Sequence, residues 1–383
     1  HHNTQRQSAK RLDMAKNTKP GQFSPVSLKA ATAIAQAWPD KPRMLAAYLI
    51  LARYATKDDV GGYGHNMVIG AGANIVSRVI GCQWMQAKNY LEALANYGMI
   101  QKAPAGLKAG RSKAEWILMH KGDTDFPHAA VDGLDQLSGF EELGPKTTPV
   151  KATSAIRRIL DSQESDQVRL CALMLLLHCY HNHDLMKWGG IDHELIWREW
   201  KRDSVAQEGE SFRWSAIPGE NPTTSSHAFA ETILTSIGVK KTPDTTQKIF
   251  WKAWSVLDKV GLVYEAVMLF EGNRPLLPLR INDFHGGSAQ SSGALLFQWY
   301  HHGFYTNPSN PRNQPEGCWF YWPWHPDQGF SLKGVWWLRF RCSNQTTGDA
   351  MAGYPEKYGV LTKKLTAQGT LEDLTPKKAP KDI

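Results

Sequence analysis

His178-Cys179-Tyr180-His181-Asn182-His183 is the densest run of ligand-type side chains in the chain. On a helix, Cys179 and His183 would be i,i+4 neighbours on one face, the spacing of two ligands in many zinc sites. Zinc needs a complete ligand set, and no second pair stands at clear spacing. The run therefore reads as the polar end of an apolar helix, and no metal is expected. Asp123 and Asp125 alternate, as paired acids do when a strand presents them to a divalent ion. The residues around them carry little strand signal, so the pair reads as a solvated loop. The sequence has no Gly-x-x-x-x-Gly-Lys phosphate loop and no Ser nucleophile elbow. These features point away from ATP-driven and hydrolytic chemistry. No catalytic residue and no cofactor is assigned, and the chain is not expected to be an enzyme.

A different chemistry, hydrogen-bond reading of base edges, fits another set of residues. Helical spacing turns Gln83, Gln86 and Asn89 outward, with Lys88 beside them. Gln and Asn can pair bidentately with adenine, and Lys can contact guanine or phosphate. Downstream, Lys102, Lys108, Arg111 and Lys113 stand in or beside a Gly-rich loop, 104–113. Such cations suit the phosphate backbone, where they set affinity and salt dependence rather than sequence choice. Trp84 is read as a core or anchor residue rather than a base-stacking group.

The elements that would position these residues follow from periodicity and breakers. A short helix is expected over 26–38 and a strongly apolar one from Pro42 to Ala55. A third fits Ala73 to Ile80, with Gly81 as the turn. A fourth runs from about Gln83 to Tyr97, with Ala87, Leu91 and Leu94 inward. Gly98 ends it. Met99 to Lys102 and Ala114 to Met119 read as strands on either side of the basic loop. Helix, helix, Gly turn, helix, strand, basic loop, strand is the order of a winged helix.

A second stretch repeats this order. Its helices are expected at Ser165 to about Tyr180, Ser226–Ile237 and Thr245–Val260, followed by a hairpin of 262–270 and 276–281. Leu94-Ala95-Asn96-Tyr97-Gly98-Met99-Ile100 matches Leu257-Asp258-Lys259-Val260-Gly261-Leu262-Val263 in pattern. Residues 203–225 read as a polar insertion. Thr245, Thr246, Gln247, Lys248 and Lys252 line the second module's third helix, while Trp251 and Trp254 read as core. Six tryptophans fall in 294–360, where Cys318–Trp324 and Val335–Cys342 read as paired strands. Arg339 and Arg341 alternate on one face of the latter. That segment reads as a small tryptophan-rich β core or a partner-docking surface, with stacking of single-stranded bases as the alternative.

The predicted organisation is a basic flexible arm at 1–24, a winged-helix domain at 25–120 and a linker or crossover at 121–164. A second winged-helix domain follows at 165–285, then an aromatic C-terminal region at 286–375 and a disordered tail at 376–383. The fold class is α+β and mainly helical. Charge separates the two modules. Residues 1–120 hold 16 Lys/Arg against 6 Asp/Glu, a net of +10, whereas residues 121–290 are at −5 and 291–383 at +3. A basic first third favours a polyanionic partner. Five cysteines, at 82, 171, 179, 318 and 342, form no paired framework and point to a reducing, cytoplasmic setting. No apolar run is long enough to span a bilayer, so no membrane partner is expected.

The arrangement over about 40–285 resembles plasmid and integrative-element replication initiators with tandem winged helices. The resemblance rests on the order of elements and on the Leu-x-x-apolar-Gly endings at 94–100 and 257–263. It implies binding of repeated origin sites by one or both modules, with dimer–monomer control. The insertion at 203–225 and the tryptophan-rich C-terminal part depart from the compact initiator pattern. His181-x-His183 also resembles the paired histidines of rolling-circle nicking enzymes, with Tyr354 and Tyr358 as imaginable nucleophiles. Here, however, Asn182 replaces the apolar residue between them. The expected function is sequence-specific binding of double-stranded DNA in replication initiation or transcription regulation of a mobile element. A homodimer or protein complex would form through the second module. The alternatives are a structural subunit that docks through winged helices and, more remotely, a metal-dependent nicking or priming enzyme.

Overall fold

The computed structural model describes residues 24–57, 67–109, 112–119, 128–131, 154–183, 190–208, 211–216, 224–260, 262–281, 319–322 and 330–338. The fold is mixed α+β, mostly helical, with antiparallel sheets. The expected arm at 1–24, except Ser24, and the tail at 376–383 lie outside the described residues. Among the described residues, no helix is long and apolar enough to cross a membrane. The chain divides into two compact units, His1–Leu137 with Thr153–Asp161, and Ser138–Ala152 with Ser162–Ile383.

The first unit opens with strand β1 (Ser24–Ser27) and helix α1 (Leu28–Ala37). Ser27 caps the helix by accepting from the Ala30 N–H at 3.3 Å, which is why it starts two residues later than periodicity alone implied. Helix α2 (Pro42–Arg53) follows, with Pro42 in its first turn where a missing N–H costs nothing. Met44 through Ala52 are all buried. A helix apolar on every side must be central. Each fully buried Leu or Ile there contributes about 1.5–3 kcal/mol by leaving water.

Strands β2 (Ala55–Lys57) and β3 (Met67–Ile69) lead to helices α3 (Ala73–Ile80) and α4 (Trp84–Asn96). Strand β4 (Ile100–Lys102), the small hairpin β5 (Lys108–Ala109) and β6 (Ser112–Lys113), and β7 (Trp116–Leu118) complete the run. The sheet order is β2-β3-β7-β4, with Leu118 paired to Met67 on one side and Ile100 on the other. Leu107 and Ala109 pack on the Val68–Ala114–Ile117 cluster, so the hairpin is rooted in the core.

Two elements of this unit fall in the segment read as a linker. Strand β8 (His128–Val131) pairs with β1, and helix α5 (Ala155–Leu160) packs against α2 and α3. The Ser154 hydroxyl caps α5 and donates to the Val79 carbonyl at 2.7 Å, across 75 residues of sequence. Short polar-flanked segments such as these reveal their partners only through long-range pairing.

The second unit is built on helix α6 (Asp166–His181), capped by Ser165 and buried at Val168 and continuously from Leu170 to Tyr180. Arg169 fastens its start, donating from Nε and Nη2 to the Ser162 carbonyl at 3.1 and 2.6 Å and from Nη1 to Asp166 at 2.9 Å. Then come β9 (Ile196–Glu208), β10 (Ser211–Ala216), β11 (Thr224–Ser225), α7 (His227–Ser236), α8 (Pro243–Thr245), a π-helical stretch (Thr246–Phe250) and α9 (Trp251–Lys259). The expected polar insertion at 203–225 is thus largely strand, since β9 and β10 pair antiparallel. The alternation Phe212-Arg213-Trp214 was the sequence signal for it.

Strands β12 (Val263–Glu271) and β13 (Arg274–Ile281) form the expected hairpin around Gly272 and Asn273. The aromatic segment supplies β14 (Trp319–Trp322) and β15 (Phe330–Leu338), and here the expectation of a paired, separate region is overturned. β14 pairs with β10, while β15 lies between β12 and β9, giving the order β13-β12-β15-β9-β10-β14. Trp336 is buried and meets Trp254 edge-on at 5.1 Å between ring centroids. Arg339 and Arg341 lie outside the described residues.

Four helices end alike. The N–H two residues beyond the last helical turn bonds back five residues, from Cys82 to Ser77, Met99 to Leu94, Val239 to Leu234 and Leu262 to Leu257, at 2.9–3.1 Å. Gly81, Gly98 and Gly238 sit in the left-handed region at φ 69°, 79° and 74°, as such an ending requires. Gly261 lies outside the described residues. The repeated motif thus has a cause: its first residue's carbonyl is the acceptor.

Gly81 is constrained twice, because a Cβ there would also meet the Arg157 guanidinium. Gly81→Ala is expected to lower unfolding free energy by about 1–2 kcal/mol from the left-handed backbone alone. Denaturant titration should show that adding Arg157→Ala restores the steric part only. Unchanged stability in the single variant would contradict this account of the turn.

Candidate nucleic-acid interface

Helix α4 packs by one stripe, Ala87, Leu91 and Leu94, all buried at i,i+4,i+7 spacing. Tyr90, Ala93 and Ala95 are half-buried, and Gln86, Lys88, Asn89, Glu92 and Asn96 are exposed. Gln83 stands at the N-cap and is exposed, and its N–H donates to Gln86 Oε1 at 3.3 Å. Gln86 therefore stabilises its own helix end with the carbonyl that would accept from adenine, leaving its amide N–H2 outward. Lys88 and Asn89 are exposed, and Lys88 lies 3.7 Å from Glu92 and 5.8 Å above the Trp84 ring. Asn89 is one turn from Met85 on the same outward face.

The reading of Trp84 as core does not hold: it is 47% exposed, and Met85 is 55% exposed. Both sit in the first turn of α4, ahead of the first buried residue, so the packing stripe does not cover them. Hydrophobicity had suggested burial, but the preceding Gly turn carries no bulk to shield them. Glu92 is a further exposed group on this helix that the sequence reading omitted.

The hairpin carries the cations. Lys108 and Lys113 are direct cross-strand partners, both exposed, and neither has a carboxylate partner among the described residues. Like charges facing each other disfavour the free hairpin. Lys102 extends from β4 over the ring of its cross-strand partner Trp116, 4.5 Å from the centroid. Arg111 lies outside the described residues.

The corresponding surface of the second unit differs. Lys248 pairs with Asp244 at 2.8 Å and Lys252 approaches Glu164 at 3.7 Å. The Thr246 hydroxyl donates to the Thr242 carbonyl at 2.7 Å, and Thr242 with Thr245 forms the helix cap. Gln247 is exposed, Trp254 is buried and Trp251 is half-buried. At the hairpin turn, Glu271 faces Arg274, an opposite-charge pair where the first unit has two lysines.

The histidine run closes α6. Asn182 returns its side-chain amide to the His178 carbonyl at 2.9 Å, capping the helix. His178, Cys179 and His183 are buried, and among the described residues no three His, Cys, Asp or Glu form a metal-holding group. Burial pushes the Cys179 thiol well above its ordinary range. Burial, with the nearby His181 charge, lowers His178 to about 4. Asp123, Asp125, Tyr354 and Tyr358 lie outside the described residues.

No family model, curated protein or solved structure matches the chain.

His178 makes stability depend on pH. Its folded value of about 4 lies below the ordinary 6.5, so between these values the unfolded chain takes a proton that the folded chain refuses. Stability is therefore full above pH 6.5 and falls on acidification through this window, by at most about 3 kcal/mol. Denaturant unfolding at pH 7, 6 and 5 should show a shallower decline for His178→Leu than for the unaltered protein. Equal slopes would mean that His178 is not the buried titrating group.

Proposed function

We infer that residues 25–120 act as a winged-helix domain that binds double-stranded DNA in a sequence-specific way. In this reading α4 is the recognition helix, and the hairpin between β4 and β7 is the wing. The helix–strand–helix–helix–strand–hairpin–strand order and the sheet order β3-β7-β4 support it. The single observation that carries it is the hairpin pair Lys108–Lys113, two lysines opposed without a carboxylate partner among the described residues, within a segment of net charge +10. A polyanion laid along that edge removes the repulsion and gains two contacts. Asn89 and the amide of Gln86 are the base-reading groups, with Gln83 at the helix start. Lys88, Lys102, Lys108, Arg111 and Lys113 hold phosphates. The protein uses no cofactor or catalytic group in this role.

The resemblance to tandem winged-helix initiators favours replication initiation of a mobile element, with transcription regulation as the other process that such binding serves. The second unit has the same helix order, but its hairpin turn opposes Glu271 to Arg274 where the first unit opposes two lysines. That observation favours an assembly role there, as a homodimer or in a protein complex. It also supports the second reading of the whole chain, a non-catalytic structural subunit of a nucleoprotein complex.

Salt dependence tests the proposal. Each phosphate contact on duplex DNA contributes a slope of about −0.9 in log affinity against log salt. Lys108→Ala with Lys113→Ala should make the slope shallower by about 1.8, uniformly across sequences. Lys113→Glu should weaken binding without lowering the melting temperature, because it replaces a like-charge pair by an opposite one. Duplex affinity that ignores salt, or a double variant that binds as tightly as the unaltered protein, removes the DNA-binding assignment.

A further inference from the structure

The exposed apolar pair on α4 lacks a role in hydrogen-bond reading. Trp84 and Met85 are 47% and 55% exposed, and they stand in the first turn of a helix otherwise polar on its outer side. Met85 and Asn89 are i,i+4 neighbours, so they project from one face, separated by one turn. The segment that carries them is positive, with a net charge of +10 over residues 1–120. Lys88 lies over the Trp84 ring and 3.7 Å from Glu92, and Lys102, Lys108 and Lys113 belong to the same unit. A cationic segment favours a polyanion over an apolar protein surface as the occupant.

In a major groove the apolar feature available on a base edge is the C5-methyl group of thymine. Recognition helices of this kind meet base edges with their N-terminal residues. One helical turn rises about 5.4 Å, against about 3.4 Å per base pair, so residues i and i+4 address positions one or two base pairs apart. Asn89 suits adenine, whose N6 amino group and N7 match its amide.

We propose that the first unit recognises an A·T-containing element in which Met85, supported by Trp84, contacts a thymine methyl one or two base pairs from an adenine read by Asn89. This rests on the DNA-binding assignment above and names the class of sequence that the site takes. The Lys88 Nζ stands 5.8 Å from the centroid of the Trp84 ring, so Trp84 shapes the apolar contact with a cation beside it. Met85 is unbranched and adaptable, which suits a contact that must seat a single methyl group.

The experiment uses the full chain and duplexes selected from a random library. Each thymine of the selected site is replaced in turn by deoxyuridine, which removes the methyl and leaves every hydrogen-bonding edge intact. At one position the replacement should weaken binding about four-fold, the worth of one buried methyl-sized group. Met85→Ala should weaken binding to the thymine duplex similarly and show no further loss with deoxyuridine, while Met85→Leu should keep the discrimination. Melting temperatures check that the exposed substitutions leave folding unchanged. If no deoxyuridine replacement matters, or if it weakens the unaltered protein and Met85→Ala equally, the methyl contact is refuted while DNA binding stands. If selection recovers no duplex above background, the DNA-binding assignment fails and the methyl contact with it. Trp84→Ala that leaves both affinity and thymine preference intact overturns the supporting role given to that residue.

Discussion

Each unit depends on one helix that has no solvent side. In the first this is α2, buried from Met44 to Ala52; in the second it is α6, buried from Leu170 to Tyr180. Such a helix satisfies its own backbone, so it can sit in a core at no hydrogen-bonding cost. Every neighbour is then obliged to cover part of it. In the first unit α1, α3, α4 and α5 all pack on or around α2, each giving up only a narrow apolar stripe. That division is what leaves the outer side of α4 uncommitted. The core takes only Ala87, Leu91 and Leu94 fully buried from this helix.

The two units share helix order and helix endings but not sheet construction. In the first, β7 lies between β3 and β4, so the strand after the hairpin is central. In the second, the strand before the hairpin is central, because β15 arrives from some fifty residues downstream and pairs along the full length of β12. Strand β15 is therefore structural. Trp336 fills the space over Trp254, and removing that strand would expose the sheet interior. The charges diverge in the same way. The second unit opposes Glu271 to Arg274 at its hairpin turn, and the first leaves Lys108 and Lys113 opposed. A similar framework thus presents a balanced surface in one place and a cationic one in the other.

The histidine run shows how weak a spacing signal is without tertiary context. Cys179 and His183 do share a helix-end region, and both are buried. Among the described residues no third ligand joins them, and Asn182 uses its side chain to cap α6. The residues proposed to contact DNA followed a different rule. Lys108 and Lys113 were legible as cations of the Gly-rich loop 104–113, but their place as cross-strand partners came only from the structure. Asn89 was legible from helical periodicity. Gln86 was placed on the right element, but its carbonyl is drawn into the helix cap, a competition that only coordinates reveal.

Sequence by itself determined most of the helices, their caps and their stops, α5 within the expected linker being the exception. Ser27, Ser165 and Ser226 begin helices, and Gly81 and Gly98 end them, because these signals act through hydrogen bonds between residues five or fewer apart. Charge distribution along the chain is likewise a property of sequence, and it separated the two modules. Tertiary structure alone decided the strand partners: β1 with β8, β14 with β10, and β15 between β12 and β9. A strand's hydrogen bonds are satisfied by remote chain, and many segments offer the same alternating pattern. It also decided the exposure of Trp84 and Met85, since an apolar side chain is buried only if some other element arrives to cover it. For the first turn of α4, none of the described residues does so enough to bury them.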